Sequence, residues 1–349
     1  MPAKKFSAIL ILSLISGVIL FTWLIGISPS QALSAPSEGL LAYLPLLSKA
    51  ETTPTPTATP VPTEPPPSGW LNYLNHLRSL GNLASVTENL DWSNGCWLHS
   101  RYMVKNDEIG HDEDLNNQWY TSEGDTAASN SNVMVSSSTS SPDEFAIDLW
   151  MSGPFHGVSM IDPQLETVGF GSYREAIGTW RMGAALDVLR GRTSAEPPTG
   201  TYPVMWPGDG QSTPILSFGG TEWPDPLTSC SGFTAPTGPP IYLQIGSGGL
   251  TPNVTATSFQ QGGSSLSHCV FDETNYNNPD SYEQSLGRQI LNSRDAIILI
   301  PQLPLIAGQT YTVSITVNSS TYSWSFTADN GTQIYFDAGN AITRLPADN

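Results

Sequence analysis

Apolar residues recur at helical spacing where folded sequence begins. Trp70, Leu71, Leu74, Leu77 and Leu80 share one side of a helix that Gly81 ends. A second helix fits residues 93–106, with Ser93 or Asn94 as its cap and Trp97, Leu98, Arg101, Tyr102 and Val104 facing inward. Residues 110–141 are rich in Asn, Ser, Thr and Asp and read as a loop with one short helical turn. A third helix fits residues 141–152, where Ser141, Pro142, Asp143 and Glu144 stand in capping order with proline at the first helical position.

The period then changes. Residues 166–173 and 179–189 read as two strands joined by a short turn, and helices followed by such a hairpin predict an α/β/α sandwich. Beyond Gly191 the helical pattern disappears. Short β-like runs follow at 241–245, 254–259, 296–300, 311–317 and 322–327, punctuated by Pro and Gly, which predicts an antiparallel β-sandwich of immunoglobulin-like rhythm. The predicted class is therefore α+β. Leu305 to Tyr311 resembles a tyrosine corner, and Asn318-Ser319-Ser320 a hairpin turn. Residues 272–280 read as a solvated acidic loop, and the last twenty or so residues carry no firm signal.

Upstream, Lys4 and Lys5 precede an apolar run from Phe6 to Ile27, and Ser30-Gln31-Ala32 offers small residues for cleavage. This predicts export, by a signal peptide over 1–32 or an uncleaved anchor. Residues 33–68 carry a Thr/Pro tract that forms no helix or ladder and reads as an extended spacer. The expected organisation is signal 1–32, spacer 33–68, an α/β/α domain 69–195, a β-sandwich 196–330 and a tail 331–349. A formal net charge of -18 on 349 residues repels nucleic acid and leaves neutral or cationic partners. Of the 3 cysteines, Cys230 and Cys269 lie in one region and are expected to pair in an oxidising compartment; Cys96 is expected to be a buried free thiol.

Several motifs fall in an order that resembles the CAP superfamily of cysteine-rich secretory, antigen 5 and pathogenesis-related 1 proteins, in its bacterial branch. These are Asn75-His76-Leu77-Arg78, Leu98 to Met103, Gly110-His111, Trp150 to Gly157, and Thr167 to Gly171. The resemblance spans residues 70–190. It implies a central cleft with His111 and His156, at which some family members bind zinc or another divalent ion. The cleft glutamates do not carry over: their places fall at Ser131, beside Asn132, and at Gly153.

With two imidazoles secure, the candidate cleft set is His111, His156, Ser131 and Asn132. His111 and His156 are read either as a weak zinc site, helped by Asp112, Glu113 or Asp114, or as a hydrogen-bonded pair shaping the groove. No motif fixes a nucleophile. The expected function is a secreted or surface-exposed binding module for a small hydrophobic ligand, a peptide or a cell-surface partner. The alternative is a secreted hydrolase, such as a metal-assisted protease, using the cleft histidines.

Overall fold

Helix α1 (Trp70–Ser79) is anchored by the Asn75 and Arg78 side chains. Asn75 exchanges two hydrogen bonds with the backbone of Val86, at 3.0 and 2.7 Å. The Arg78 guanidinium is buried and donates to the carbonyls of Ala84, Met160, Asp162 and Leu165. Burial lowers its pKa to about 10, so it stays charged at neutral pH. The Asn-x-x-Arg motif thus works as a staple, pinning α1 to the chain around residues 160–165.

The computed structural model describes residues 69–329 and 341–344. The expected signal, the spacer and most of the tail lie outside those residues. A five-stranded sheet runs β1 (Thr87–Glu88), β3 (Thr167–Arg174), β4 (Met182–Asp187), β2 (Ser131–Ser136), β14 (Ala341–Arg344). Helices α2 (Leu90–Asn106) and α3 (Ser122–Ala128) cover one face, through Cys96, Met103, Ala127, Val133, Val135 and Ala185. Helices α1, α4 (Asp143–Ser152) and α5 (Pro154–Met160) cover the other, against Met134, Ala184 and Leu186. This is the expected α/β/α sandwich. Helix α2 lies almost on the sheet because Gly171 lacks a side chain: a Cβ there would stand 2.1 Å from the backbone nitrogen of Trp97.

Two further sheets follow. One runs β10 (His268–Phe271), β11 (Ala296–Pro301), β7 (Ile241–Gln244), β5 (Val204–Trp206). The other runs β6 (Ser212–Thr213), β13 (Ser320–Ala328), β12 (Thr310–Val317), β8 (Val254–Gln261), β9 (Ser264–Ser265). They pack face to face over Ile241, Leu243, Ile297, Leu299, Phe259, Val313, Trp324 and Phe326. Tyr311 accepts a 2.8 Å hydrogen bond from the Ile306 backbone, as the corner motif predicts. Asn318 and Ser319 both take positive φ in the tight β12–β13 turn.

The four-stranded sheet is buried on both faces. Ile297 and Leu299 face the second sheet, while Ala296, Ile298 and Ile300 join Trp150, Phe155 and Tyr242 in the main core. That core takes side chains from both sides of the expected boundary at residue 195.

Several sequence expectations need correction. The polar stretch 110–141 contains α3 and β2. All six residues of β2 are buried, so no polar–apolar alternation marks it as a strand. Helix α5 follows α4 directly, with Pro154 in its first turn. Helicity does not end at Gly191: α6 (Ser281–Asn292) starts at Asp280, whose carboxylate accepts from the backbones of Tyr282 and Glu283. Residues 272–280 are not simply solvated, because Asp272, Tyr276 and Asn278 are buried. The tail contributes β14, antiparallel to β2.

A buried carboxyl inside α4 gives the fold a pH dependence. Asp148 hydrogen-bonds the Tyr73 hydroxyl, and burial raises its pKa from 3.8 to about 7. Folded protein therefore holds a proton that unfolded chain releases at about pH 4. The stabilisation is full below that value and is lost as pH rises to about 7, by up to ~1.4 kcal/mol per pH unit. Asp148→Asn should flatten this segment of the curve, as denaturant titrations at several pH values between 4 and 8 will show.

Candidate functional site

His156 lies in the first turn of α5 and is fully buried. Its Nδ1 lies 2.8 Å from Oε1 of Glu222, a residue 66 positions along the chain. The same oxygen accepts from the backbone nitrogens of Phe155 and His156, each at 2.9 Å. The carboxylate therefore caps a helix start whose N–H groups lack intrahelical partners, and it orients the imidazole at the same time. Burial pushes the Glu222 pKa up, while the His156 side chain and the backbone donors pull it back. His156 Nε2 and Glu222 Oε2 are buried with no hydrogen-bond partner among the described residues.

Gly153 makes the arrangement possible. A Cβ at Gly153 would lie 2.6 Å from Glu222 Oε1. The position where the sequence resemblance lacks a glutamate is thus the space that the Glu222 carboxylate occupies, reached from the β region. The Tyr242 hydroxyl, on β7, donates to the Gly153 carbonyl at 3.1 Å and closes the same corner.

The other expected cleft residues have partners of their own. Asn132 donates to the His156 carbonyl at 3.3 Å and also bonds Ser159. Ser131 points to the opposite face of β2, where its Oγ lies 3.6 Å from the Cys96 sulfur. His111 Nδ1 lies 2.8 Å from the Ala128 carbonyl oxygen at the end of α3. The acids after His111 are engaged elsewhere. Glu113 reaches His99 Nδ1 at 3.0 Å and accepts from the Thr121 backbone, Asp114 accepts from Asn116, and Asp112 is exposed.

Residues 71–179 match the model of CAP, the cysteine-rich secretory protein family. No curated protein and no solved structure matches the chain. Within this CAP segment the histidines meet two carboxylates, but as separate pairs: His156 with Glu222 and His99 with Glu113. Both rings are fully buried. The sequence does not announce Glu222, and Glu113, expected as an oxygen donor beside His111, pairs with His99 instead. Glu222 lies outside the segment, and His99 reads as an ordinary helical position.

The donor set does not suit zinc, which takes three or four protein ligands. No group of three or more His, Cys, Asp or Glu side chains is placed to hold a metal ion among the described residues. The free thiol is also inert: burial, with Asp187 nearby, pushes Cys96 up to about 12. The disulfide joins Cys230 to Cys269, as expected.

Removing one member of a buried, hydrogen-bonded pair strands the other, at roughly 3–5 kcal/mol. Glu222→Ala should lower unfolding stability by about that amount, and His156→Ala by a comparable amount. Glu222→Gln, which still accepts from the two backbone donors, should lose less. Urea unfolding followed by tryptophan fluorescence measures all three.

Proposed function

We propose that the chain is an extracellular binding module built on a CAP scaffold and that it has no hydrolytic turnover of its own. One observation carries this reading. The histidine best placed for chemistry has a carboxylate partner from its own chain, and both side chains are enclosed, so substrate has no access to the ring. The Cys230–Cys269 bridge fits an oxidising compartment. The β layers act in this reading as a rigid extension of the CAP segment, and kinship of those layers to immunoglobulin-like modules belongs to the same proposal. The ligand class in this reading is a small hydrophobic molecule, a peptide or a cell-surface partner.

The second reading, a secreted hydrolase, draws on the same dyad. An imidazole oriented by a carboxylate with Nε2 unpartnered is a general-base arrangement. Enclosure of the ring argues against it, and no nucleophile is held against that nitrogen among the described residues.

Casein and ester hydrolysis by the protein, with zinc or with a chelator, should not exceed that of His156→Ala. The melting temperature should be the same with zinc and with chelator, because the described residues bring no three metal-ligating side chains together. A chelator-sensitive activity abolished by Glu222→Gln would establish the hydrolase instead.

A further inference from the structure

The outer side of α2 carries a ring of alternating aromatic and cationic side chains. Arg101 stacks between Trp97 and Trp119, its guanidinium carbon 5.2 and 5.4 Å from the two ring centroids. Lys105, one helical turn on, lies 4.8 Å from the centroid of Trp119 and 5.9 Å from that of Tyr173. Tyr173 closes the ring edge-on to Trp97 at 5.7 Å. Trp97, expected to face inward on this helix, is instead 38% exposed.

The two cations differ in their partners. Lys105 is paired with Glu175. Among the described residues Arg101 makes no ion pair or hydrogen bond, although the chain carries 31 acidic residues. Among the described residues its Nε is buried without a partner, while its terminal nitrogens are not buried in that way. Arg174, Arg190, Arg192 and Arg294 each face an aspartate. Arg101 therefore presents an oriented donor edge, held by π faces that cannot accept its in-plane N–H groups.

We propose that this ring is a binding site for a carboxylate-bearing sugar, such as a hexuronate unit of an acidic oligosaccharide. The carboxylate takes the guanidinium edge in a bidentate pair. The apolar face of the pyranose lies on the exposed part of Trp97. The ring aromatics fix the guanidinium before binding, which reduces the ordering cost. A long polyanion is disfavoured by the chain's own negative charge, so the fit is to short, locally charged saccharides. The site lies on α2, away from His156, and stands whether or not the cleft binds anything.

Calorimetric titration of the full chain with tetragalacturonate tests the site, with maltotetraose as the neutral control. The acidic tetrasaccharide should bind and the neutral one should bind at least tenfold more weakly. Arg101→Ala and Trp97→Ala should each weaken binding tenfold or more, and Arg101→Lys should not restore it, since an ammonium lacks the fork. A melting curve for each variant checks that the fold is intact. Glu222→Gln should leave this binding unchanged, so failure here is distinct from failure of the cleft reading. Lack of binding at millimolar tetragalacturonate, or equal binding by Arg101→Ala, overturns the proposal.

Discussion

The buried carboxylate of Glu222 at the start of α5 constrains everything around it. An ionised carboxylate taken out of water costs several kcal/mol unless its oxygens find donors. Here one oxygen meets two backbone N–H groups and an imidazole, in a space that exists only because residue 153 has no side chain. The loop carrying Glu222 cannot move away without leaving buried polar groups unpaired and reopening a helix terminus. A position that looks empty in the CAP segment is filled from elsewhere in the same chain.

That contact is one of several that bind the α/β/α sandwich to the β layers. The Trp206 indole donates to the Leu77 carbonyl at 2.7 Å. Asp162 lies between Arg192 and Arg294. The strongest tie is apolar: alternate residues of β11 serve two different cores, so the four-stranded sheet is an inner layer and not an outer wall. Helix α6 completes the cover with Leu286, Ile290 and Leu291.

Much of this was legible in the chain. The amphipathic stripe of α1 and the alternating strands β12 and β13 carry periodicity that solvent on one face imposes. Helix α4, by contrast, starts one residue later than its capping order suggests, with Pro142 before its first residue and no side-chain cap. What escaped has the opposite character. Strand β2 is buried on both faces and shows no alternation. Helix α6 hides its stripe among Asn, Gln and Ser, with Gly287 packed against Tyr276. In the site, His156 and Asn132 lie side by side, Asn132 donating to the His156 carbonyl. Glu222 carries no sequence signal of a histidine partner, and Glu113, which the sequence offers to His111, partners His99; these contacts join residues 66 and 14 positions apart. Ser131 was misplaced by reading two adjacent residues as neighbours in one cavity, when a strand sends them to opposite faces.

The double duty of β11 also affects how the molecule comes into being. A polypeptide is made from its N-terminus, so α4 and α5 exist long before residues 296–301 are joined to the chain. Until then Trp150 and Phe155 have no cover from that direction, and β2 waits longer still for its neighbour at 341–344. The nascent protein must carry an unfinished apolar surface while the residues between α5 and β11 are added, an interval in which a chaperone has something to hold.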